Sequence, residues 1–339
     1  MDGPKLHETS AALVADGRGI LAADESTGTC AKRFKALDIE CNETSRGQYR
    51  SMLFSTAGLE QAVAGVILYD ETLRQSTSDG TPIPKLLAGK GIMPGIKVDT
   101  GALPLAGHDG EKVTEGLDGL RDRLAEYAKL GARFAKWRAV ITIGKNEHGR
   151  IPTEACLRAN AHALARYASL CQEAGIVPIV EPEVLMDGDH DIDTADAVTR
   201  RAWDVVFEEL RGQDVLLAGM LLKPSMIVSG KAAKGRAGPE EVAKRTFAAL
   251  MDCVPASVPG IVFLSGGQSP EEATEHLRLM NTLGAKPWKL SFSYGRALQE
   301  PALAAWRGDN GNNKVAQAAL KERCDANRAA ALGKKFVAA

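Results

Sequence analysis

Leu216-Leu217-Ala218-Gly219-Met220-Leu221-Leu222-Lys223-Pro224 is apolar at both odd and even positions until it meets a single lysine. A run of this kind reads as a core strand of a parallel sheet, covered on both faces. An ammonium at its end is costly to desolvate, so the amine of Lys223 is expected to fall toward neutrality. A neutral lysine amine is the nucleophile that forms a Schiff base with a carbonyl. A lysine closing a strand also reads as an ordinary rim charge, so the rest of the chain has to decide.

Working outward, seven more short apolar segments share this character. They are Gly19-Ile20-Leu21-Ala22-Ala23, Ala64-Gly65-Val66-Ile67-Leu68-Tyr69, Met93-Pro94-Gly95-Ile96-Lys97-Val98, Phe134-Ala135-Lys136-Trp137-Arg138, Ile176-Val177-Pro178-Ile179-Val180, Gly260-Ile261-Val262-Phe263-Leu264 and Lys289-Leu290-Ser291-Phe292-Ser293. Amphipathic stretches separate them, among them residues 117–130, 152–174, 195–211, 239–251 and 270–283. Alternation of strand and helix implies parallel strands joined by right-handed crossovers. Eight such units without a Pro/Gly/Ser-rich linker fit the α/β class as a (β/α)8 TIM barrel better than a doubly wound sheet. Residues 1–339 are expected to form a single domain, with extra helices before the first strand and after the last.

Composition narrows the function. Among 339 residues, 45% are hydrophobic and 25% charged, and 42 Lys and Arg face 43 Asp and Glu. That balance argues against nucleic acid or a polybasic membrane surface as a bulk-charge partner. No apolar stretch approaches the ~18 residues of a membrane span, and Met1-Asp2-Gly3-Pro4-Lys5-Leu6-His7-Glu8 lacks a signal-peptide core. Six cysteines (Cys30, Cys41, Cys156, Cys171, Cys253 and Cys324) are scattered without a C-x-x-C pair and read as reduced thiols in a cytoplasmic protein.

In a TIM barrel the active site lies at the C-terminal strand ends. Asp24-Glu25-Ser26 closes the first strand, Lys97 the third, and Lys136 with Arg138 the fourth. Glu181 and Glu183 close the fifth, Lys223 the sixth, Ser265-Gly266-Gly267-Gln268 the seventh, and Ser293-Tyr294-Gly295-Arg296 the eighth. Lys136 and Arg138, like Glu181 and Glu183, are two apart and share a side of their strand. Each alone reads as a solvated rim charge; together they read as a pocket in which lysines, carboxylates and an anion site converge. The hydroxyls, glycine N–H groups and guanidinium of the last two loops suit a phosphate.

Three other patterns carry no chemistry. Gly17-Arg18-Gly19-Ile20-Leu21-Ala22 resembles a dinucleotide fingerprint but precedes its strand. Asp187-Gly188-Asp189-His190-Asp191-Ile192-Asp193 resembles a calcium loop, yet Ile192 replaces the required glycine and Val198 the terminal Glu. Lys231, Lys234 and Arg236 read as a mobile solvated loop. The six histidines have no metal spacing, so neither metal nor cofactor is expected.

Leu21-Ala22-Ala23-Asp24-Glu25-Ser26-Thr27-Gly28, Gly95-Ile96-Lys97-Val98-Asp99, Phe134-Ala135-Lys136-Trp137-Arg138, Val177-Pro178-Ile179-Val180-Glu181-Pro182-Glu183, Leu221-Leu222-Lys223-Pro224, Phe263-Leu264-Ser265-Gly266-Gly267-Gln268-Ser269 and Phe292-Ser293-Tyr294-Gly295-Arg296-Ala297-Leu298 resemble the motifs of metal-independent, class I fructose-bisphosphate aldolase. The resemblance runs in order over about residues 17–335. It implies reversible cleavage of fructose 1,6-bisphosphate through a lysine Schiff base, in glycolysis or gluconeogenesis, by a cytoplasmic homotetramer.

Carried over residue by residue, it makes Lys223 the Schiff-base nucleophile and Glu181 the acid/base for dehydration and the C4 hydroxyl. Asp24 becomes its partner in C–C cleavage, Lys136 the cation between them, and Glu183 the carboxylate that orients the lysines. Arg138 borders the pocket. Ser265, Gly266, Gly295 and Arg296 fall at the C1 phosphate, Ser26, Thr29, Arg33 and Lys97 fall around the C6 phosphate, and Ser293 joins the substrate- and phosphate-binding set. Thr29 stands where many relatives carry Ser and keeps the hydroxyl. Vertebrate members continue into a tail ending in a tyrosine that assists proton exchange on the enamine. Here the sequence ends Lys334-Lys335-Phe336-Val337-Ala338-Ala339, with no counterpart, so another group or water would serve. Rival readings are a Schiff-base lyase or transferase for another phosphorylated ketose, and a non-catalytic sugar-phosphate-binding scaffold.

Overall fold

The computed structural model describes residues 2–147 and 149–337, so the final two residues of that tail lie outside the described residues. Eight parallel strands close into a barrel: β1 (Gly19–Ala23), β2 (Val63–Leu68), β3 (Met93–Lys97), β4 (Phe134–Ile141), β5 (Val177–Val184), β6 (Leu221–Leu222), β7 (Gly260–Phe263) and β8 (Lys289–Tyr294). Each pairs with its neighbours in chain order, and β8 returns to β1. The α/β barrel expectation therefore holds, including the extra helices Gly3–Ala12 before β1 and Arg296–Trp306 and Asn313–Ala331 after β8.

The stretch that opened the argument is only partly a strand. Leu217–Gly219 is a 3-10 turn, and Leu221–Leu222 alone pairs with β5 and β7. Side chains take the backbone groups a ladder would have used. Gln172 accepts from the Leu216 N–H at 2.9 Å and donates to the Leu216 carbonyl at 2.8 Å, while Ser10 donates to the Ala218 carbonyl at 3.0 Å. The Lys223 N–H still donates to the Val180 carbonyl at 2.8 Å, so the lysine keeps its place on the barrel wall.

Alternation along the strands divides the side chains into two sets. Leu21, Val66, Ile96, Trp137, Val180, Leu222, Phe263 and Phe292 point outward into the layer shared with the helices. Ile20, Ile67, Phe134, Val177, Ile179, Leu221 and Val262 fill the lower barrel, where Leu6, Leu13 and Val14 of the N-terminal segment cap it. Gly65 and Gly95 make room for the Phe134 ring: a Cβ would meet ring carbons at 2.8 Å and 2.3 Å respectively. Two short hairpins, Gly101–Pro104 with Lys112–Glu115 and Gly144–Asn146 with Gly149–Ile151, extend the loops after β3 and β4. The segment expected to be a free basic loop is partly held: Gly230, Lys231 and Ala232 donate backbone bonds to His190, Met186 and Gly188, each at 2.8 Å.

Candidate active site

Above the apolar floor the inward positions turn polar. β3, β4, β5 and the residue after β6 project Lys97, Lys136, Arg138, Glu181, Glu183 and Lys223 into one cavity of ≈390 Å³ at the C-terminal mouth. All fifteen residues expected in the site line this cavity. Of the other strand-end residues, Gly267, Gln268 and Tyr294 do not line it, and Tyr294 turns outward to the Ala273 carbonyl.

Its centre is a line of buried opposite charges. The Lys223 Nζ lies 3.2 Å from Glu181 Oε1, and the Lys136 Nζ lies 3.5 Å from Glu181 Oε2 and 2.7 Å from Asp24 Oδ2. Their side chains are 4–12% exposed. Burial pushes the Asp24 carboxyl up, but the Lys136 and Lys223 cations outweigh it and hold it at about 2. Burial disfavours the Lys136 ammonium, yet Asp24, Glu181 and Asp99 together hold its pKa above the ordinary lysine value. Both therefore stay charged across the physiological range. Arg138 donates to Glu183 at the edge of this run, while Asp24 and Glu181 reach Lys136 from different strand ends.

Two atoms in the cavity stand without a hydrogen-bond partner among the described residues: Glu181 Oε2 and Ser293 Oγ. Buried polar atoms are seldom left so, and both belong to residues that line the cavity.

Groups suited to hold an anion line the same cavity. Ser26 caps the helix Thr27–Lys35, and Ser26, Thr29 and Arg33 recur at helical spacing on one face; Arg33 is held by Glu25 at 2.6 Å. In the loops after β7 and β8, Gly266 and Gly267 have φ of +34° and +82°, a left-handed turn that glycine adopts without strain, and Gly295 caps the helix Arg296–Trp306. A Cβ on Gly295 would lie 3.2 Å from the Ala22 carbonyl. Successive backbone N–H groups in such turns, with a helix N-terminus, form an anion cradle.

Sequence reasoning gave no role to Asp99, Glu25 or Gln299. Asp99 Oδ1 is 3.1 Å from Lys97 Nζ, and its Oδ2 is 4.0 Å from Lys136 Nζ and accepts the Arg138 N–H at 3.3 Å. Its signal was available, since it stands two residues after Lys97. Gln299 donates to Glu25 at 2.8 Å and to the Ala22 carbonyl at 2.6 Å; nothing in its local sequence announces that.

The family model for class-I fructose-bisphosphate aldolase matches residues 5–338. The chain belongs to the class-I fructose-bisphosphate aldolase family. A probable class 1 aldolase of Xanthomonas campestris pv. campestris is 56% identical over 97% of this chain and 98% of its own length. Fructose-bisphosphate aldolase 6, cytosolic, of Arabidopsis thaliana is 51% identical over 97% and 91%. The Plasmodium falciparum aldolase, solved with TRAP and a small-molecule inhibitor, superposes with a TM-score of 0.96 at 46% identity, over 99% of this chain and 96% of that one. The aldolase family match thus takes in all eight strands and every residue that lines the cavity. No helix among the described residues is long and apolar enough to cross a membrane. No group of three or more His, Cys, Asp or Glu among them is disposed to hold a metal ion.

Proposed function

We propose that this aldolase cleaves D-fructose 1,6-bisphosphate reversibly to dihydroxyacetone phosphate and D-glyceraldehyde 3-phosphate through an imine on Lys223. The observation that carries the reading is the buried run Lys223–Glu181–Lys136–Asp24, in a cavity that Ser26, Arg33, Gly266 and Arg296 also line. The Lys223 ammonium gives its proton to Glu181, 3.2 Å away, and the amine so formed attacks the C2 ketone. Glu181 gives a proton to the carbinolamine hydroxyl, which leaves as water, and the iminium becomes an electron sink. Asp24, ionised and 2.7 Å from the Lys136 ammonium, and Glu181 are the candidate bases for the C4 hydroxyl. As that proton leaves, the C3–C4 electrons pass to the iminium nitrogen and the aldehyde is released. Protonation at C3 and hydrolysis of the imine then free the second product and the lysine.

The Lys136 cation lies between the two carboxylates, where it stabilises charge that moves between them. Ser265, Gly266, Ser293, Gly295 and Arg296 are assigned to the C1 phosphate, and Ser26, Thr29, Arg33 and Lys97 to the C6 phosphate. Glu183 holds Arg138 at the rim. Fixing both chain ends puts remote binding energy into the geometry at C3 and C4. A homotetramer and a cytoplasmic location belong to the same proposal; relatives named cytosolic support the second.

Borohydride reduction with substrate is expected to attach the sugar to Lys223, and Lys223→Met to bind sugar phosphate without turnover. A label on another lysine, or cleavage by Lys223→Met, overturns the assignment. Light scattering reads the oligomeric state directly.

A further inference from the structure

His276 lies on the outer helix Pro270–Thr282, outside the cavity, yet it is 4% exposed and its ring is committed to the phosphate loop. Its Nδ1 is 2.6 Å from Gln268 Oε1, and Gln268 Nε2 donates to the Ser265 carbonyl at 3.2 Å. The direction of this relay is forced. A carbonyl oxygen only accepts, so the Gln268 nitrogen must face Ser265 and its oxygen must face the histidine. His276 therefore carries its proton on Nδ1. The Gln268 backbone N–H donates to the same Ser265 carbonyl at 2.9 Å.

The Ser265 carbonyl and the Gly266 N–H belong to one planar trans peptide and point in opposite directions. Holding the carbonyl back toward Gln268 aims the Gly266 N–H the other way, and Ser265 and Gly266 line the cavity. The same helix anchors the second loop, because the Tyr294 hydroxyl donates to the Ala273 carbonyl at 2.9 Å, one residue before Gly295. One helix thus mounts both halves of the cradle.

We infer that His276, acting through Gln268, is a positioning residue that orients the Gly266 N–H toward the phosphate at C1. The inference rests on the reading of that loop as the C1-phosphate site. It is not a catalytic residue, since it touches neither substrate nor reacting atoms.

The test compares KM and kcat for fructose 1,6-bisphosphate and for fructose 1-phosphate, which has a phosphate at C1 only. His276→Leu strands the buried Gln268 oxygen and is expected to raise KM for both substrates by about tenfold, the effect of one lost hydrogen bond, with kcat within about threefold. His276→Asn, whose amide N–H replaces the Nδ1–H, is expected to restore KM. In Gln268→Glu an ionised oxygen faces the Ser265 carbonyl, so KM is expected to rise with pH and recover as the carboxyl protonates. Thermal unfolding of each variant reads folding separately. Wild-type KM in His276→Leu, or equal losses in the Leu and Asn variants, overturns the inference while leaving the aldolase reading intact. Wild-type protein that cleaves neither substrate overturns both.

Discussion

Asp24→Asn removes one charge from the central run while keeping its shape. The Asp24 carboxyl is held at about 2 against an ordinary 3.8. At ~1.36 kcal/mol per unit, this amounts to about 2 kcal/mol of folding stability. The folded pKa is depressed, so this contribution is fully present above pH ~4 and is lost as pH falls through about 2. The variant is therefore expected to unfold a few degrees earlier, by a margin that stays flat from pH 5 to about pH 8. Turnover is expected to fall by roughly 10²–10⁴, the scale of a lost proton-transfer group. Thermal unfolding across that pH range, paired with kcat on fructose 1,6-bisphosphate, reads both. A deficit that varies strongly with pH between 5 and 8, or none at all, refutes the claim that Lys136 holds Asp24 ionised. Wild-type kcat would remove Asp24 from the chemistry.

Lys136→Met leaves Asp24, Glu181 and Asp99 buried without their shared cation; loss of turnover and roughly 3–5 kcal/mol of destabilisation are expected by activity assay and denaturant unfolding. Arg33→Ala is expected to raise KM for the bisphosphate and leave KM for fructose 1-phosphate unchanged, which steady-state kinetics on both substrates checks. Gly95→Ala puts a Cβ 2.3 Å from the Phe134 ring and is expected to cost about 1–3 kcal/mol or more, measured as a lowered unfolding midpoint with the active-site lysines intact. Cleavage measured with and without EDTA is expected to be equal; inhibition by the chelator would contradict the imine mechanism.

Lys136 with Arg138, and Glu181 with Glu183, were readable because a strand repeats every two residues and each pair had to share a face. Lys223 was readable because an apolar run ended on it. The 3-10 turn at Leu217–Gly219 was hidden, since the side chain that claims its backbone comes from Gln172, far earlier in the chain. The hairpin Gly101–Pro104 with Lys112–Glu115 was hidden for a different reason: its strands are short and mostly exposed, so no apolar period marks them. Asp99 was within reach of the same alternation that exposed Lys97. Glu25, Gln299 and His276 act through neighbours that only the closed barrel brings to them.

The Phe134 ring and the Leu6, Leu13 and Val14 side chains close the bottom of the barrel with apolar atoms. The reaction chamber is therefore a room with one door. A six-carbon sugar enters whole and leaves as two pieces through the same opening, so departure is serial. The fragment still joined to Lys223 stays until its imine is hydrolysed, so the free aldehyde can leave before it. In the reverse direction the same bond sets an order of arrival: the ketone has to be attached before there is an enamine for the aldehyde to meet.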